Sequence, residues 1–314
     1  MRAYRAAMRI AINGSGTLAR PSLERIVAHA TQAADDGFAG YWLAQTGAVD
    51  ALVALTIVGR EAQGIELGTA VVPTWFRHPF ALGAEALTTQ AAVGGRLRLG
   101  IGLSHKPVTE DRFDIPFVRP VRHMREYLAV LNPLLTTGKV SAKGEVWSGE
   151  LEVAPLEGAS PPQVLVAALG PQMLRLTGRE ADGTILWMVG PRTIASHIAP
   201  TIGEAAERAG RPAPRIVASL PVCVTDDADG VRQRAATVFA GYGVLPSYRA
   251  MLDREGAPGP QDAAVIGDER TVRDHLEAIA EAGATDFAAV EFVRGDEERD
   301  RTRALLKSLA FEWA

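Results

Sequence analysis

The 314-residue sequence contains one cysteine, Cys223, which lies in the apolar run from residue 220 to residue 224. A single cysteine forms no internal disulfide and no cluster of thiolate metal ligands. The sequence also has no HExxH motif and no cluster of carboxylates with the spacing of metal ligands. We therefore predict no metal site.

Runs of lysine or arginine and long apolar segments are also missing. With 33 basic and 37 acidic residues the formal net charge is -4, which argues against nucleic acid and anionic membranes as partners. No apolar run reaches the roughly 18 residues of a membrane span, and the N-terminal segment lacks the apolar core of a signal peptide. We expect a cytoplasmic protein that acts on a small-molecule substrate.

The sequence does have a regular alternation of short apolar segments with longer segments of helical period. The apolar segments predicted as strands are 8–13, 40–44, 65–70, 97–101, 163–168, 183–187, 215–225 and 286–292. Eight such units in a chain of this length favour one closed parallel barrel, the (β/α)8 or TIM barrel of the α/β class. The barrel domain would comprise residues 8–314 after an N-terminal extension at 1–7, with insertions at about 139–160 and 241–262.

In such a barrel the ligand site lies at the carboxyl ends of the strands. We find no nucleophile and no pair of carboxylates there, and the segment from Gly102 to Lys106 lacks the last glycine of a serine-hydrolase elbow. The Gly100-Ile101-Gly102 triplet lacks the third glycine of a dinucleotide fingerprint. These absences favour a bound cofactor that supplies the chemistry while the protein binds and orients it.

The fifth predicted strand runs through Gly170 into a helix that begins at Pro171. Backbone N–H groups at such a helix start can bind a phosphate without a cationic side chain. A plain strand-to-helix turn has the same sequence pattern. The spacing alone therefore leaves both interpretations open.

Two of the six histidines, His78 and His105, lie on loops that follow predicted strands. The other four lie within predicted helices, a position typical of surface or packing residues: His29, His123, His197 and His275. Histidine titrates near neutral pH, so a histidine at a strand end is a candidate for proton transfer.

Several segments resemble one known family. From residue 67 the sequence reads LGTAVVPTWFRHPFALGAEALTTQ and, three residues later, GGRLRLGIGLSH. Further segments are RPVRHMREYLAVLNPLL, PPQVLVAALGPQMLRLTGREADGTILWMVGP and VIGDERTVRDHLEAIAEAGATDF. Over nearly all of residues 8–293 the chain resembles the bacterial luciferase-like superfamily, and within it most of all the oxidoreductases that use the deazaflavin coenzyme F420.

The resemblance implies that the ring of coenzyme F420 lies across the barrel mouth. A non-prolyl cis peptide bond, here Ala70–Val71, would support the ring, and the loop after the fourth strand would meet its polar edge or ribityl chain. The helix start after the fifth strand would receive the phosphate. The residues implied to bind the cofactor are Thr46, Ala70, Val71, Leu103, Ser104, His105, Ala168, Leu169, Gly170, Pro171 and Gln172.

The chain departs from the family's pattern at the proton donor. Members of the superfamily commonly carry an acid–His pair at the end of the second strand, where this chain has Gln45 and Thr46. The catalytic candidates are therefore His105, Gln45 and Asn13, of which only His105 titrates near neutral pH. For His105, an acid/base role and a simple hydrogen bond to the ring edge both remain open.

Large apolar side chains near the strand ends are predicted to wall the substrate space, with plain core packing as the alternative for each. These residues are Trp42, Trp75, Phe76, Trp187, Met188 and Tyr248. The insertion at 241–262, which carries Tyr242 and Tyr248, is a candidate lid.

The predicted function is hydride transfer between C5 of the deazaflavin and a small organic substrate: an alcohol or carbonyl compound, an imine or an activated alkene. The enzyme would form a homodimer. One alternative is a luciferase-like monooxygenase that uses FMN. A second alternative is a barrel that binds a flavin without catalysis.

Overall fold

The computed structural model describes residues 8–313; the predicted N-terminal extension at 1–7 lies outside them, as does residue 314. The strands are β1 (Arg9–Asn13), β2 (Gly40–Leu43), β3 (Glu66–Thr69), β4 (Val72–Pro73), β5 (Leu97–Gly102), β6 (Lys139–Ala142), β7 (Gly149–Glu152), β8 (Gln163–Val166), β9 (Gly183–Trp187), β10 (Arg215–Val224), β11 (Val265–Gly267) and β12 (Asp286–Glu291). The helices are α1 (Leu23–Asp35), α2 (Ala51–Glu61), α3 (Pro79–Ala92), α4 (Pro120–Thr137), α5 (Pro171–Glu180), α6 (Pro191–Thr193), α7 (Ala199–Arg208), α8 (Ala228–Val238), α9 (Ala240–Val244), α10 (Pro246–Glu255), α11 (Glu269–Glu281) and α12 (Asp296–Glu312).

Eight of these strands, all parallel, close into a barrel within residues 8–313. Their order is β1–β2–β3–β5–β8–β9–β10–β12, and β12 pairs again with β1. The predicted (β/α)8 barrel is therefore confirmed. The short strands β4 and β11, which the sequence did not predict, add a few pairs to the ends of β5 and β10.

Polar residues just before several helices fix where each helix begins. Asp50 accepts a hydrogen bond from the backbone N–H of Val53 (3.0 Å), and Asp268 accepts one from Thr271 (2.8 Å). Such caps satisfy N–H groups that have no partner in the first helical turn. The helices then lay their apolar faces on the outer side of the barrel strands.

Ion pairs close the amino-terminal end of the barrel. Arg215 contacts Asp286 (2.8 Å) and Glu66 (2.7 Å), and Glu66 also contacts Arg98 (2.6 Å). Burial disfavours the charged carboxylate of Asp286, but the hydrogen bonds and charge of Arg215, the charge of Arg9 and a hydrogen bond from Thr285 together hold its pKa below the usual value. This leaves the opposite end of the barrel, where the strands end, as the side on which a ligand can bind.

The barrel interior below that end is filled by Trp42, which is 1% exposed. Its indole packs with small and branched residues from the surrounding strands: Ala11, Leu165, Ile185, Val217 and Ala288. A Cβ added to Gly68 would lie 2.1 Å from the indole, so only glycine leaves it room. The prediction that Trp42 walls the substrate space is wrong, because its side chain is buried in the barrel interior beneath the mouth.

Both predicted insertions are present in the structure. In the first, β6 and β7 form an antiparallel hairpin from Lys139 opposite Glu152 to Ala142 opposite Gly149. In the second, α9 and α10 replace a direct connection from α8 to β11. No helix within residues 8–313 is long and apolar enough to span a membrane.

Candidate active site at the barrel mouth

The loop after β3 contains a cis peptide bond between Ala70 and Val71, as predicted. The N–H of Ala70 donates to the carbonyl of Leu43 (2.8 Å), and the carbonyl of Val71 accepts from the N–H of Gln45 (3.3 Å). These bonds tie the loop to the end of β2. The Ala70–Val71 segment packs on the interior cluster around Trp42 and lies at the floor of the mouth.

The glycines of β5 allow this loop to approach the strand. A Cβ at Gly100 would lie 1.9 Å from the carbonyl oxygen of Thr69, and one at Gly102 would lie 2.6 Å from Val71 Cγ2. Both distances are shorter than any real contact of a Cβ atom. The Gly100-Ile101-Gly102 triplet thus serves close backbone packing.

His105 lies just beyond the end of β5, after Ser104, whose backbone is left-handed (φ 59°). The carbonyl of His105 accepts hydrogen bonds from the N–H groups of Val108 and Thr109 (both 2.9 Å), which fixes its backbone. Within residues 8–313 the imidazole ring makes no hydrogen bond. Burial lowers its pKa below the usual 6.5, so the ring is neutral at pH 7 and free to bond a ligand.

Tyr242 and Tyr248 of the second insertion pack against the His105 ring, and Trp187 of β9 and Phe239 pack in turn against Tyr242. We call Trp187, Phe239, Tyr242 and Tyr248 the lid cluster. The His105 ring lies 5.6 Å from that of Tyr248 and 6.1 Å from that of Tyr242, both edge to face. Tyr242 in turn lies 6.0 Å from Trp187. Burial raises the pKa values of Tyr242 and Tyr248, so both keep their phenolic protons at neutral pH.

Met188, which follows Trp187, is buried and has a left-handed backbone (φ 54°). This unusual conformation for a residue with a side chain turns the chain sharply at the end of β9. His105, Trp187 and Tyr248 thus belong to one aromatic cluster, and Met188 directly follows it in the chain at the end of β9. That these residues line a substrate space stays a prediction.

The start of α5 is open. Gly170 precedes the helix with an extended backbone, and no side chain caps the first turn. A Cβ at Gly170 would meet no atom within 4 Å, and its N–H has no partner within residues 8–313. Gly170, Pro171 and Gln172 are exposed, whereas Ala168 is buried and anchors the loop. The free N–H groups and the positive end of the helix dipole fit a phosphate.

The start of α6 is closed by a carboxylate from the second insertion. Glu255, the last residue of α10, accepts hydrogen bonds from the N–H groups of Arg192 (3.1 Å) and Thr193 (2.8 Å). A Cβ at Gly190 would lie 2.4 Å from the carboxyl carbon of Glu255. The position that an anion would take is filled by the protein itself.

Asn13 is held by hydrogen bonds inside the barrel and is 5% exposed. Its amide donates to Ser219 Oγ (3.0 Å), and its oxygen accepts from both the N–H (3.0 Å) and the hydroxyl (2.5 Å) of Ser15. Ser15 also accepts from the N–H of Ala44 (2.9 Å), which links β1 to β2. These bonds make Asn13 an anchor below the site.

Gln45 is also held by its neighbours. Its side-chain oxygen accepts from the N–H of Ala51 (3.3 Å) and from Arg77 (3.4 Å), and Arg77 forms ion pairs with Asp50 and with Glu85. Thr46, the next residue, is exposed. Among the three catalytic candidates, only the side chain of His105 is therefore both titratable near neutral pH and without a hydrogen bond in the described structure.

Trp75 and Phe76 follow β4 and make ring contacts that do not include the lid cluster. Trp75 stacks on His123 (3.7 Å between centroids) and lies 5.5 Å from Phe117, while Phe76 contacts Phe113 (4.5 Å) and is 37% exposed. No ring contact joins either residue to Trp187 or Tyr248 within residues 8–313. The aromatic residues predicted to wall one substrate space are therefore divided between two clusters.

His123, taken from the sequence as an ordinary helical residue, connects the first insertion to the mouth. The indole N–H of Trp147 donates to its Nδ1 (3.2 Å), so Nε2 carries the proton and donates to Thr74 Oγ1 (2.9 Å). Thr74 in turn lies 3.2 Å from the carbonyl of Gly102. Burial lowers the pKa of His123 to about 4, which keeps the ring neutral in this chain of hydrogen bonds at pH 7.

Sequence reasoning missed His123, His197 and Glu255. Each acts on a segment far away in the chain: His123 on Thr74, His197 on Leu169, and Glu255 on the start of α6. A helical period shows which residues are apolar but not which distant backbone group a polar side chain meets, so no local signal marks them. No group of three His, Cys, Asp or Glu residues within residues 8–313 is arranged to hold a metal ion.

A model of the luciferase-like monooxygenase family matches residues 8–286. The 5,10-methylenetetrahydromethanopterin reductase of Methanopyrus kandleri is 25% identical over 319 residues, which cover 87% of this chain and 90% of the reductase. The structure of the coenzyme F420-dependent tetrahydromethanopterin reductase from the same organism has a TM-score of 0.81 at 21% identity, with 98% of this chain and 99% of that chain covered.

Two further structures share the fold. An F420-dependent secondary alcohol dehydrogenase in complex with an F420–acetone adduct has a TM-score of 0.78 at 16% identity, over 96% of this chain and 98% of that one. The oxygenating constituent of 3,6-diketocamphane monooxygenase from Pseudomonas putida, in complex with FMN, has a TM-score of 0.74 at 16% identity, over 98% of each chain. The fold alone thus does not choose between the two cofactors.

The family match extends over most of the barrel, including the Ala70–Val71 loop, the His105 loop and the open start of α5. The prediction of an oxidoreductase of the luciferase-like class is confirmed. This chain belongs to the luciferase-like monooxygenase family.

Proposed function

We propose that this protein is an oxidoreductase that uses coenzyme F420 to transfer hydride to or from a small organic substrate. The observation that carries the proposal is the uncapped start of α5 beside an apolar, aromatic mouth. A cofactor with a phosphate at one end and a planar ring at the other suits that combination. The similarity to the methanopterin reductase along 87% of this chain supports F420 over FMN.

The described residues fit the cofactor's chemical groups. The N–H groups of Gly170, Gln172 and Met173, at the uncapped start of α5, would donate to the phosphate, and the Ala70–Val71 segment would support one face of the ring. When bound, the deazaflavin exchanges a hydride with the substrate at its C5. The lid cluster, which packs against the His105 ring, would exclude water from the substrate.

His105 is the residue that we propose to move the proton. Its neutral imidazole can accept the proton of a substrate hydroxyl during oxidation, and the protonated ring can return it to a carbonyl oxygen during reduction. Burial disfavours the charged form, so at neutral pH the ring is ready to act as a base. The amides of Asn13 and Gln45 are engaged elsewhere and neither can accept a proton near neutral pH.

The pH dependence of the oxidation rate tests this role. Because the pKa of His105 is lowered from 6.5, kcat/KM for an alcohol substrate should rise with pH below 6.5, as the ring loses its proton, and stay level above it. His105→Asn should lower kcat by about 100-fold and remove this ionisation from the profile. An unchanged pH profile in H105N would show that His105 only bonds the ring edge or the substrate.

Direct binding tests the cofactor. The purified protein is titrated with coenzyme F420 and, separately, with FMN, and the change in melting temperature and in flavin fluorescence is recorded. We expect a clear response to F420 at micromolar concentration and a weaker response to FMN. A panel of secondary alcohols is then added to the F420-bound protein. Loss of the visible absorbance of F420 measures its reduction, and this tests turnover and the direction of the reaction.

The monooxygenase that uses reduced FMN remains the second candidate, because the FMN complex from Pseudomonas putida has the same fold along 98% of this chain. Tight binding of FMN without any response to F420 would overturn our first choice in its favour. Binding of either cofactor without turnover of any alcohol, imine, enone or ketone would favour the non-catalytic barrel. The homodimer stays a prediction, which sedimentation equilibrium of the purified chain tests directly.

A further inference from the structure

His197 reaches from one βα unit into the loop of the preceding unit. It lies on the π-helical turn Ile194–Ile198 between α6 and α7 and is 6% exposed. Its Nε2 is 2.8 Å from the carbonyl oxygen of Leu169. Because a carbonyl oxygen can only accept, Nε2 must carry a proton and donate.

The peptide unit that His197 holds is the one that presents Gly170 to the mouth. The carbonyl of Leu169 and the N–H of Gly170 belong to the same planar trans unit, so they point in opposite directions. A hydrogen bond that fixes the carbonyl therefore also fixes the direction of the N–H. That N–H has no partner within residues 8–313 and lies at the open start of α5.

Within residues 8–313, no other hydrogen bond restrains this peptide unit. Ala167 donates to Ile101 (2.8 Å) before it, and Leu174 donates to the carbonyl of Gly170 (2.9 Å) after it. Gly170 itself has no side chain to limit rotation, and nothing lies within 4 Å of its missing Cβ. Without a donor at Leu169, no hydrogen bond within residues 8–313 sets the orientation of the peptide between these two bonds.

The π turn places the histidine. The N–H of Ala199 donates to the carbonyl of Ile194, five residues back, so the turn is one residue wider than in an α-helix. Such a turn shifts the direction of its side chains, and single π turns often occur at functional sites. Here the shift aims a polar ring at the neighbouring loop.

We propose that His197 is a positioning residue of the cofactor-phosphate site, which holds the Leu169 carbonyl so that the Gly170 N–H points at the phosphate. The proposal rests on the proposed function in so far as the ligand is a flavin-type cofactor with a phosphate. It does not depend on which flavin binds.

The test compares two amide variants that differ in reach. In His197→Gln the side-chain amide can reach the place of Nε2 and donate to Leu169, whereas in His197→Asn it falls short. Dissociation constants are measured for coenzyme F420 and for its phosphate-free deazaflavin riboside, and likewise for FMN and riboflavin. His275→Asn, a change at another helical histidine, is the control.

We expect H197N to raise the dissociation constant of the phosphate-bearing cofactor (F420 or FMN, whichever the wild type binds) about tenfold. The dissociation constant of its phosphate-free counterpart should rise less than twofold. H197Q should stay within about threefold of the wild type for both members, since it keeps the donor. Equal weakening of both members in H197N, or no weakening at all, would overturn the proposal. Should H197N fail to fold, a normal phosphate preference in a folded His197→Leu would overturn it as well, and the loss of that preference would support it.

The wild-type measurements separate this proposal from the proposed function. If the wild type binds FMN and not F420, the proposed function fails, while the FMN and riboflavin pair still tests His197. If the wild type binds F420 but H197N keeps its preference for phosphate, the proposed function stands and the role of His197 fails.

Discussion

Helices α5 and α6 both start at a Gly-Pro dipeptide, but a carboxylate caps the start of α6 and no side chain caps the start of α5. At the start of α6, after Gly190–Pro191, the Glu255 carboxylate accepts from the N–H groups of Arg192 and Thr193. At the start of α5, after Gly170–Pro171, no side chain caps the helix. The same local sequence therefore gives one anion position that the protein fills and one that it leaves open.

The filled position shows what the open one lacks. A helix start presents free N–H groups and the positive end of a dipole, and a carboxylate stabilises both. Glu255 supplies it to α6 and, in the same contact, fastens the second insertion beside the mouth. At the start of α5 the same kind of N–H groups have no side-chain acceptor. We therefore propose that they bind the phosphate of a ligand.

Closing the open position should have the largest effect. Gly170→Asp places a carboxylate at an extended N-cap position with free space around it, where it can cap α5 and repel a phosphate. We expect about a 100-fold rise in the dissociation constant for the phosphate-bearing cofactor. Binding of the phosphate-free riboside should change little, and Gly170→Ser, a cap without charge, should give a smaller loss. An unchanged affinity in G170D would place the phosphate elsewhere.

Opening the filled position should cost stability. Glu255→Ala removes the partner of two N–H groups at α6, and we expect a loss of about 2 kcal/mol in the free energy of unfolding, measured by urea denaturation. Glu255→Gln keeps one acceptor and should lose about 1 kcal/mol. The matched control is Glu204→Ala, which removes an exposed ion pair with Arg208 and should cost little. If E255A costs no more than E204A, the cap does not stabilise α6.

The smallest expected effect is the difference in stability between alanine substitutions at Gly190 and at Gly170. Gly190→Ala puts a Cβ 2.4 Å from the carboxyl carbon of Glu255, so that side chain must shift, and we expect a loss of about 1 kcal/mol. Gly170→Ala meets nothing and should leave the melting temperature unchanged or slightly higher. Thermal unfolding of the two variants side by side measures the difference, and equal shifts would contradict the contrast between the two helix starts.

Local patterns and the family resemblance predicted the barrel and one backbone feature of the candidate site. The alternation of apolar and helical segments gave all eight barrel strands, and the resemblance placed the cis peptide bond at Ala70–Val71. His105 was singled out because it is a titratable residue at a strand end, and the structure leaves its ring without a hydrogen bond within residues 8–313. Trp42 was misjudged because alternation along β2 sends it into the barrel, where Gly68 leaves it space.

The sequence by itself determined the order of the strands, the strand ends at which a ligand can bind and the helix starts that could receive a phosphate, because these follow from periodicity and from glycine and proline within a few residues. Only the tertiary structure decided which helix start is open. Glu255 follows Arg192 by 63 residues, and His197 follows Leu169 by 28. Contacts over such separations depend on how the barrel closes and how the insertion folds back on it, and no local pattern encodes either.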